Sequence, residues 1–262
     1  MLFNSADLVS GGAGTSSKGN QGKWRKRDGA LYIKERFFYQ GKAWRDDLVE
    51  LVASQYAQRC NLSAYEVEVL EQVPCTVDGR PAVCSENFCS GNQVFVSFKQ
   101  LCDSFGMPVP DYLRSSPAEN LCALASTYMT LTGLNVYPYL LTMATLDAIV
   151  GNEDRHYNNF GVLLDTNTRS YSLPPLFDFG LGLFEHDRRY EGLSYKERIK
   201  LMQCKPLTVD NDELVSFLVE EHGEFLRGFL PESIAVSDFE FPSEEAESYF
   251  RNRNIRLGVR LV

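Results

Sequence analysis

Gly151-Asn152-Glu153-Asp154-Arg155-His156-Tyr157-Asn158-Asn159-Phe160-Gly161 is the densest polar cluster of the chain, and Pro174-Pro175-Leu176-Phe177-Asp178-Phe179-Gly180-Leu181-Gly182 follows it closely. Immediately before the first cluster runs NVYPYLLTMATLDAIV, residues 135–150. That stretch is apolar on every side, which reads as a helix buried in a core, with Pro138 in its first turn. Between the two clusters, residues 160–164 (FGVLL) and 170–177 read as short strands. They fold back as a hairpin, with Asp165 and Asn167 at its turn. Such a hairpin brings Asp154, Asn159 and Asp178 together at one end.

Two carboxylates and an amide oxygen at one end of a hairpin suit phosphoryl transfer. One carboxylate meets the acceptor hydroxyl. The other, with the amide oxygen, supplies hard oxygen ligands to a magnesium ion that bridges the ATP phosphates. The kinase template sets an Asp, four residues, an Asn and later an Asp-Phe-Gly, the spacing that Asp154, Asn159 and Asp178-Phe179-Gly180 show. The competing reading makes Asp154 a helix cap and Asp178 a turn residue. Arg155 reads as a solvated surface charge. His156 reads as a packing residue that holds the loop through a backbone hydrogen bond, in preference to an acid or base.

Upstream, SGGAGTSSKGNQGK (residues 10–23) is either a flexible tail or a loop whose backbone N–H groups cradle phosphate. Residues 30–34 read as a strand and 44–60 as a helix with Trp44, Leu48, Leu51, Val52 and Tyr56 on its buried face. Strands are expected at 65–73 and 81–88, on either side of the turn Asp78-Gly79-Arg80-Pro81. Downstream the pattern turns helical. Ser116-Pro117-Ala118-Glu119 opens a helix over 117–132, and further helices are expected at 211–229 and 244–257. The expected fold is α+β and two-lobed: a small β-rich lobe over residues 1–90, a larger α-rich lobe over 91–262, and a ligand cleft between them.

Asp154-Arg155-His156-Tyr157-Asn158-Asn159-Phe160-Gly161, followed by Pro175-Leu176-Phe177-Asp178, resembles the HipA-like kinases, bacterial Ser/Thr protein kinases of which several are toxins of toxin–antitoxin pairs. Here Arg and His follow the Asp, whereas a eukaryotic-type kinase places them before it. The resemblance covers roughly residues 10–210 and implies a protein-kinase-like fold that uses ATP and magnesium. It assigns Asp154 as catalytic base and Asn159 and Asp178 as metal ligands. Gly14 to Trp24 is similar to the family's glycine-containing loop, which puts Ser16, Ser17, Gly19 and Lys23 beside the phosphates. Ser16 falls where the family carries an autophosphorylated serine, with Ser17 next to it. Lys34 is implied as the ATP-contacting lysine, with Glu50 as its carboxylate partner. Ser85-Glu86-Asn87-Phe88 resembles the adenine-holding hinge, so Glu86 and Phe88 join the nucleotide-binding set, as does His156 through its place in the motif. Lys205-Pro206-Leu207 is similar to a Lys-Pro-Phe of the larger lobe. Longer members carry an extra N-terminal subdomain before the glycine-containing loop. The resemblance therefore implies a compact member, or one whose missing subdomain comes from a partner protein.

The composition sets bounds on function. The chain has 262 residues, 44% of them apolar and 23% charged, with a formal net charge of -9. Direct nucleic-acid binding is not expected of so acidic a chain, because phosphate backbones need a basic face. Seven cysteines without a CxxC pair, beside three histidines, read as reduced, mostly buried thiols and not as a zinc site. No apolar run reaches the length of a membrane span and no signal peptide is apparent, so a cytoplasmic protein is expected. The expected partners are a protein substrate with a Ser or Thr acceptor and a small antitoxin or subdomain-like protein. Two alternatives stand beside the protein kinase: a kinase of small molecules or lipid headgroups, and a non-catalytic pseudokinase.

Overall fold

The computed structural model describes residues 1–10, 22–39, 42–113, 115–185 and 190–262. Strands β1 (Leu2–Phe3), β2 (Leu8–Ser10), β3 (Lys23–Lys26), β4 (Leu31–Glu35), β5 (Phe37–Tyr39) and β6 (Lys42–Trp44) lead to helix α1 (Asp46–Ala57), and β7 (Val73–Val77) and β8 (Arg80–Glu86) follow. Six of these strands form one sheet in the order β1-β7-β8-β4-β3-β2, while β5 and β6 pair as a separate hairpin. The β7–β8 turn places both central residues, Asp78 and Gly79, at positive φ. That backbone matches the right-handed twist of the flanking strands. One face of the sheet buries Leu8, Ile33, Cys75, Val77, Ala82 and Cys84 as a small core.

Beyond β8 come β9 (Gln93–Ser97), α2 (Phe98–Ser104), α3 (Pro117–Thr132), α4 (Tyr137–Val150), β10 (Gly161–Asp165), β11 (Tyr171–Ser172), α5 (Tyr195–Leu201), α6 (Asn211–Glu221), α7 (Gly223–Phe229), β12 (Ser233–Ile234), α8 (Glu244–Arg256) and β13 (Arg260–Leu261). Helix α4 is the centre of the larger core, buried without a break from Tyr139 to Val150. An all-round apolar helix has no solvent face to offer, so others must surround it; α1, α3, α6 and α8 pack on it. Helix α3 starts at a capping box between Ser116 and Glu119 with Pro117 in the first turn. The fold is α+β, a curled sheet followed by helices, as the sequence pattern predicts. No helix among the described residues is long and apolar enough to cross a membrane.

Helix α1 ties the sheet to the helical part. Its Val49, Val52, Ala53 and Tyr56 belong to the larger core, and the Tyr56 hydroxyl donates to Asn254 Oδ1 at 2.7 Å. Its first turn is pinned from β5 and its approach: Arg36 makes a bidentate pair with Asp47 at 2.9 and 2.8 Å, and Phe37 N–H donates to Asp46 Oδ1 at 3.1 Å.

Several element boundaries differ from the sequence expectation. Of residues 65–73, Val73 alone is in a strand, as the first residue of β7. Leu62–Tyr65 is a short 3-10 turn, and the segment after it makes a single bridge, Val69 to Leu176. The ladder cannot lengthen because Pro174 and Pro175 lack N–H donors. The same prolines cut the strand expected at 170–177 down to β11. The helix expected at 211–229 is two helices, broken at His222, whose φ of -126° is not helical. Strand β9 and helix α2 were not anticipated. Strand β9 joins the expected hairpin and makes it a three-stranded sheet in the order β11-β10-β9. Gly161 makes that pairing possible, because a Cβ there would lie 2.1 Å from the Val96 carbonyl oxygen.

Candidate active site

Three chain segments meet at Lys34. Strand β4 presents its ammonium, which lies 2.8 Å from Glu50 Oε1 on α1 and 2.6 Å from Asp178 Oδ1. The second Glu50 oxygen, Oε2, accepts from the Phe179 N–H at 3.1 Å. Glu50 therefore grips both the lysine and the backbone beside the aspartate. Asp178 itself has φ +65°, a left-handed backbone that L-residues avoid unless surroundings impose it. Burial works against the Lys34 charge, but Asp178 and Glu50 outweigh it and hold the ammonium above its ordinary value. Burial also pushes the Asp178 carboxyl up, and Lys34 outweighs that and draws it down to about 2. Both groups are thus held charged. Lys23 on β3 sits opposite Lys34 in the strand register. Burial and the neighbouring Lys34 charge lower its pKa.

The loop after α4 is built on a buried ion pair. Gly151 ends α4 at φ +60°, and Arg155 turns back to bind Asp147 on that helix. Arg155 Nε and Nη2 donate to the two Asp147 oxygens at 2.9 and 2.8 Å. Arg155 Nη1 donates to the Asn159 carbonyl at 3.2 Å and to the Phe177 carbonyl. Its guanidinium lies 4.6 Å from the Phe179 ring centroid. One side chain thus fixes the spacing between Asn159 and Asp178. The expectation of a solvated Arg155 is corrected: it is fully buried. Asp147 is a residue the sequence reading missed, and a lone acid inside an apolar helix was the available signal, since a buried carboxylate requires a partner.

Asn152 completes the frame. Its Nδ2 donates to Asp147 Oδ1 at 2.8 Å and to the Asp178 carbonyl at 3.3 Å, and its Oδ1 accepts from the Asp154 N–H at 3.2 Å. The Asp154 side chain is 42% exposed, so it is open to an incoming group. Burial of its remaining surface raises its pKa; His156 opposes this, Asp178 adds to it, and Lys205 and Arg155 oppose it. His156 Nδ1 accepts from the Asn158 N–H at 3.2 Å, and its Nε2 lies 3.9 Å from Asp154 Oδ2.

The donor set fits a magnesium ion. Asn159 Nδ2 donates to the Asp154 carbonyl at 2.8 Å, which fixes the amide orientation and leaves Oδ1 as the oxygen for a ligand. Asp178 retains Oδ2 beyond its bond to Lys34. Among the described residues no group of three or more His, Cys, Asp or Glu side chains could hold a metal. One carboxylate and one amide oxygen, with the rest from phosphate and water, is the manner in which magnesium binds at phosphoryl-transfer sites.

The residues expected at the hinge, Glu86 and Phe88, lie at the end of β8 and just beyond it. Phe88 stacks on Phe177 at 5.3 Å and meets Phe95 edge-on at 5.9 Å. Sequence reading gave a nucleotide role to Phe88 and not to Phe95 or Phe177, which lie on β9 and on the segment before Asp178 and converge only on folding. Glu86 is exposed and lines, with Leu31, Leu70, Cys84 and Phe88, a cavity of 290 Å³. Side chains alternate along a strand, so Leu31 and Lys34 face opposite sides of β4. The Leu31 and Cys84 part of the lining is therefore on the sheet face opposite Lys34. Ser16, Ser17 and Gly19 lie outside the described residues.

No protein-family model matches the chain, and no curated protein matches it. Solved structures do. The Helicobacter pylori proinflammatory kinase CtkA superposes with a TM-score of 0.61 at 14% identity, over 98% of this chain and 95% of that one. HipA of Shewanella oneidensis, solved with HipB and operator DNA, gives 0.46 at 13% identity over 95% and 65%. An aminoglycoside phosphotransferase of Streptomyces rimosus, solved with ADP and streptomycin, gives 0.29 at 12% identity over 98% and 88%. The CtkA likeness establishes the fold: it is kinase-like, as the sequence resemblance implies.

Proposed function

We infer that the chain is an ATP- and magnesium-dependent protein kinase of the HipA-like type, acting on a Ser or Thr hydroxyl. The observation that carries this reading is Lys34 held by both Glu50 and Asp178, at 2.8 and 2.6 Å. Residues distant in sequence converge there, in a kinase-like fold, with Asn159 and Asp154 on the adjoining loop. Lys34 and Lys23 bind the triphosphate, and Phe88 and Phe177 offer aromatic faces to a base. Asp178 and Asn159 would hold magnesium, which neutralises phosphate charge when bound. Asp154 accepts the hydrogen bond of the acceptor hydroxyl and aligns it. Most of the rate comes from positioning and electrostatics, because a loose phosphoryl-transfer transition state needs little covalent help.

The sequence resemblance extends the reading to autophosphorylation at Ser16 in the glycine-containing loop, with Ser17 as the neighbouring alternative. A phosphoserine there adds about -1.5 to -2 charges beside the triphosphate site and would oppose ATP binding. The resemblance likewise supports pairing with a small antitoxin, while the shift from strand-rich to helix-rich pattern supports a division of the chain near residue 90 into two lobes, and the lack of a long apolar run in the sequence supports a cytoplasmic protein. Incubation of the purified protein with magnesium and γ-labelled ATP, with intact mass and peptide mapping, tests the reading. Label on protein Ser or Thr supports it. Label only on small molecules or lipid from an extract makes the chain a small-molecule kinase, and ATP binding without transfer under any condition makes it a pseudokinase.

A further inference from the structure

Arg155 and His156 follow Asp154 in the chain, and neither offers it a free ammonium. Arg155 is consumed by Asp147 and two carbonyls. His156 uses Nδ1 on the Asn158 N–H. A free ammonium comes to this loop from another part of the fold. Residues 203–208 run beside the catalytic loop, held there by Glu153: its Oε1 accepts from the Gln203 N–H at 3.0 Å, and its Oε2 accepts from the Tyr190 hydroxyl. Cys204 and Thr208 close a tight turn with reciprocal backbone bonds of 3.2 and 3.0 Å. Asn120 Nδ2, itself buried, donates to the Leu207 carbonyl at 2.8 Å and fixes the far side of the turn. Pro206, Leu207 and Thr208 are buried, whereas Lys205 is half-buried. No hydrogen bond or ion pair among the described residues occupies the Lys205 ammonium, and Lys205 stands two residues beyond Gln203, whose N–H is bonded to Glu153, the chain neighbour of Asp154; its positive charge opposes the rise of the Asp154 pKa.

We propose that Lys205 is a further catalytic residue, whose ammonium contacts the transferring phosphoryl group on the Asp154 side of the site. The proposal rests on the phosphotransferase reading above. Lys34, engaged by two carboxylates, serves the phosphates from the nucleotide side, as do Lys23 and the metal that Asp178 and Asn159 would hold. On the acceptor side the Asp154 carboxylate repels the phosphoryl group. An ammonium carried on a fixed backbone turn, with no partner of its own to give up, offsets the repulsion where charge develops. In the step, the bond between the β,γ-bridging oxygen and the γ-phosphorus breaks, and ADP keeps the electron pair. The acceptor oxygen bonds to phosphorus, and its proton goes to Asp154. Lys205 exchanges no proton.

The test separates the flying phosphoryl group from the nucleotide. Wild type, Lys205→Gln and Lys205→Arg are titrated calorimetrically with Mg-ADP and with Mg-ADP plus aluminium fluoride, which mimics the transferring group. Lys205→Gln should bind Mg-ADP as the wild type does, lose on the order of 10²-fold of the tightening that aluminium fluoride confers, and lose a comparable factor in kcat. Lys205→Arg should restore most of both, because it returns a cation to the same turn. Melting curves identify any variant that fails to fold, and Lys205→Arg then carries the comparison, expected to retain the tightening. The proposal is overturned if Lys205→Gln keeps the full tightening, or if it weakens Mg-ADP and the fluoride complex equally. A wild type that transfers no phosphate overturns the functional reading together with this one. Transfer by the wild type matched by Lys205→Gln overturns this one alone.

Discussion

Arg155→Ala should be among the most destabilising single changes in this chain. The substitution leaves Asp147, 2% exposed, without the two hydrogen bonds of 2.9 and 2.8 Å that compensate its charge. It also frees the Asn159 and Phe177 carbonyls that Arg155 Nη1 binds. Breaking a buried pair from one side costs about 3–5 kcal/mol, against about 0–1 for an exposed pair. At about 2–4 °C per kcal/mol for a chain near this size, the melting temperature should fall by about 6–20 °C. The pH dependence distinguishes an orphaned charge from a simple cavity. Burial already pushes the Asp147 carboxyl up, and Arg155 opposes that rise. Without Arg155 the folded-state pKa rises further above the unfolded one, so the folded state holds the extra proton between the two values. Stability of the variant then falls as pH rises through that window. Urea unfolding of Arg155→Ala and wild type at pH 5 and pH 7.5 is the assay. The deficit should be larger at pH 7.5, and Asp147→Leu combined with Arg155→Met should recover part of it. A deficit under about 1 kcal/mol, or one independent of pH, would refute the buried-charge argument.

Three further outcomes follow from the site. Asp178→Asn should weaken Mg-ATP binding while Asp154→Asn leaves it nearly intact, with both abolishing transfer; calorimetry showing the reverse order exchanges their roles. Lys34 holds Asp178 at about 2, below the ordinary 3.8, so that carboxyl contributes stability that is full above 3.8 and lost as pH falls through about 2. Lys34→Met removes the pull, and acid unfolding followed by circular dichroism in the absence of metal should set in at a higher pH than in the wild type. Gly161→Ala places a Cβ 2.1 Å from the Val96 carbonyl oxygen and 2.7 Å from Ser97 Cα, so β9 and β10 must part. A loss of about 1–3 kcal/mol or more in urea unfolding is expected, and an unchanged midpoint would show that the sheet yields there without cost.

The order of the elements was legible because it is written in local pattern. The apolar run at 135–150 has one solution, a helix surrounded by others, and α4 is that helix. The Ser116-Pro117-Ala118-Glu119 start is a local capping signal and appears as a capping box. Strand extents were less legible, because a strand exists only where a partner supplies donors and acceptors. Residues 65–73 alternate as a strand should, yet the partner they meet contains Pro174 and Pro175. Strand β9 escaped notice for the converse reason: a moderate pattern became a strand because Gly161 lets it approach β10.

At the candidate site the same division holds. Sequence spacing brought forward Asp154, Asn159 and Asp178, because residues of fixed type at fixed separations are a one-dimensional signal, and the family resemblance added Lys34 and Glu50. Tertiary structure alone decided that Arg155 is buried on Asp147, that Phe95 and Phe177 join Phe88, and that the Lys205 turn is held beside Asp154 through Glu153. Each of these depends on where a side chain finds its partner, and burial turns a modest surface charge into one that must be paired. A sequence names the charges; only packing determines which of them lose their water and so which must find one another.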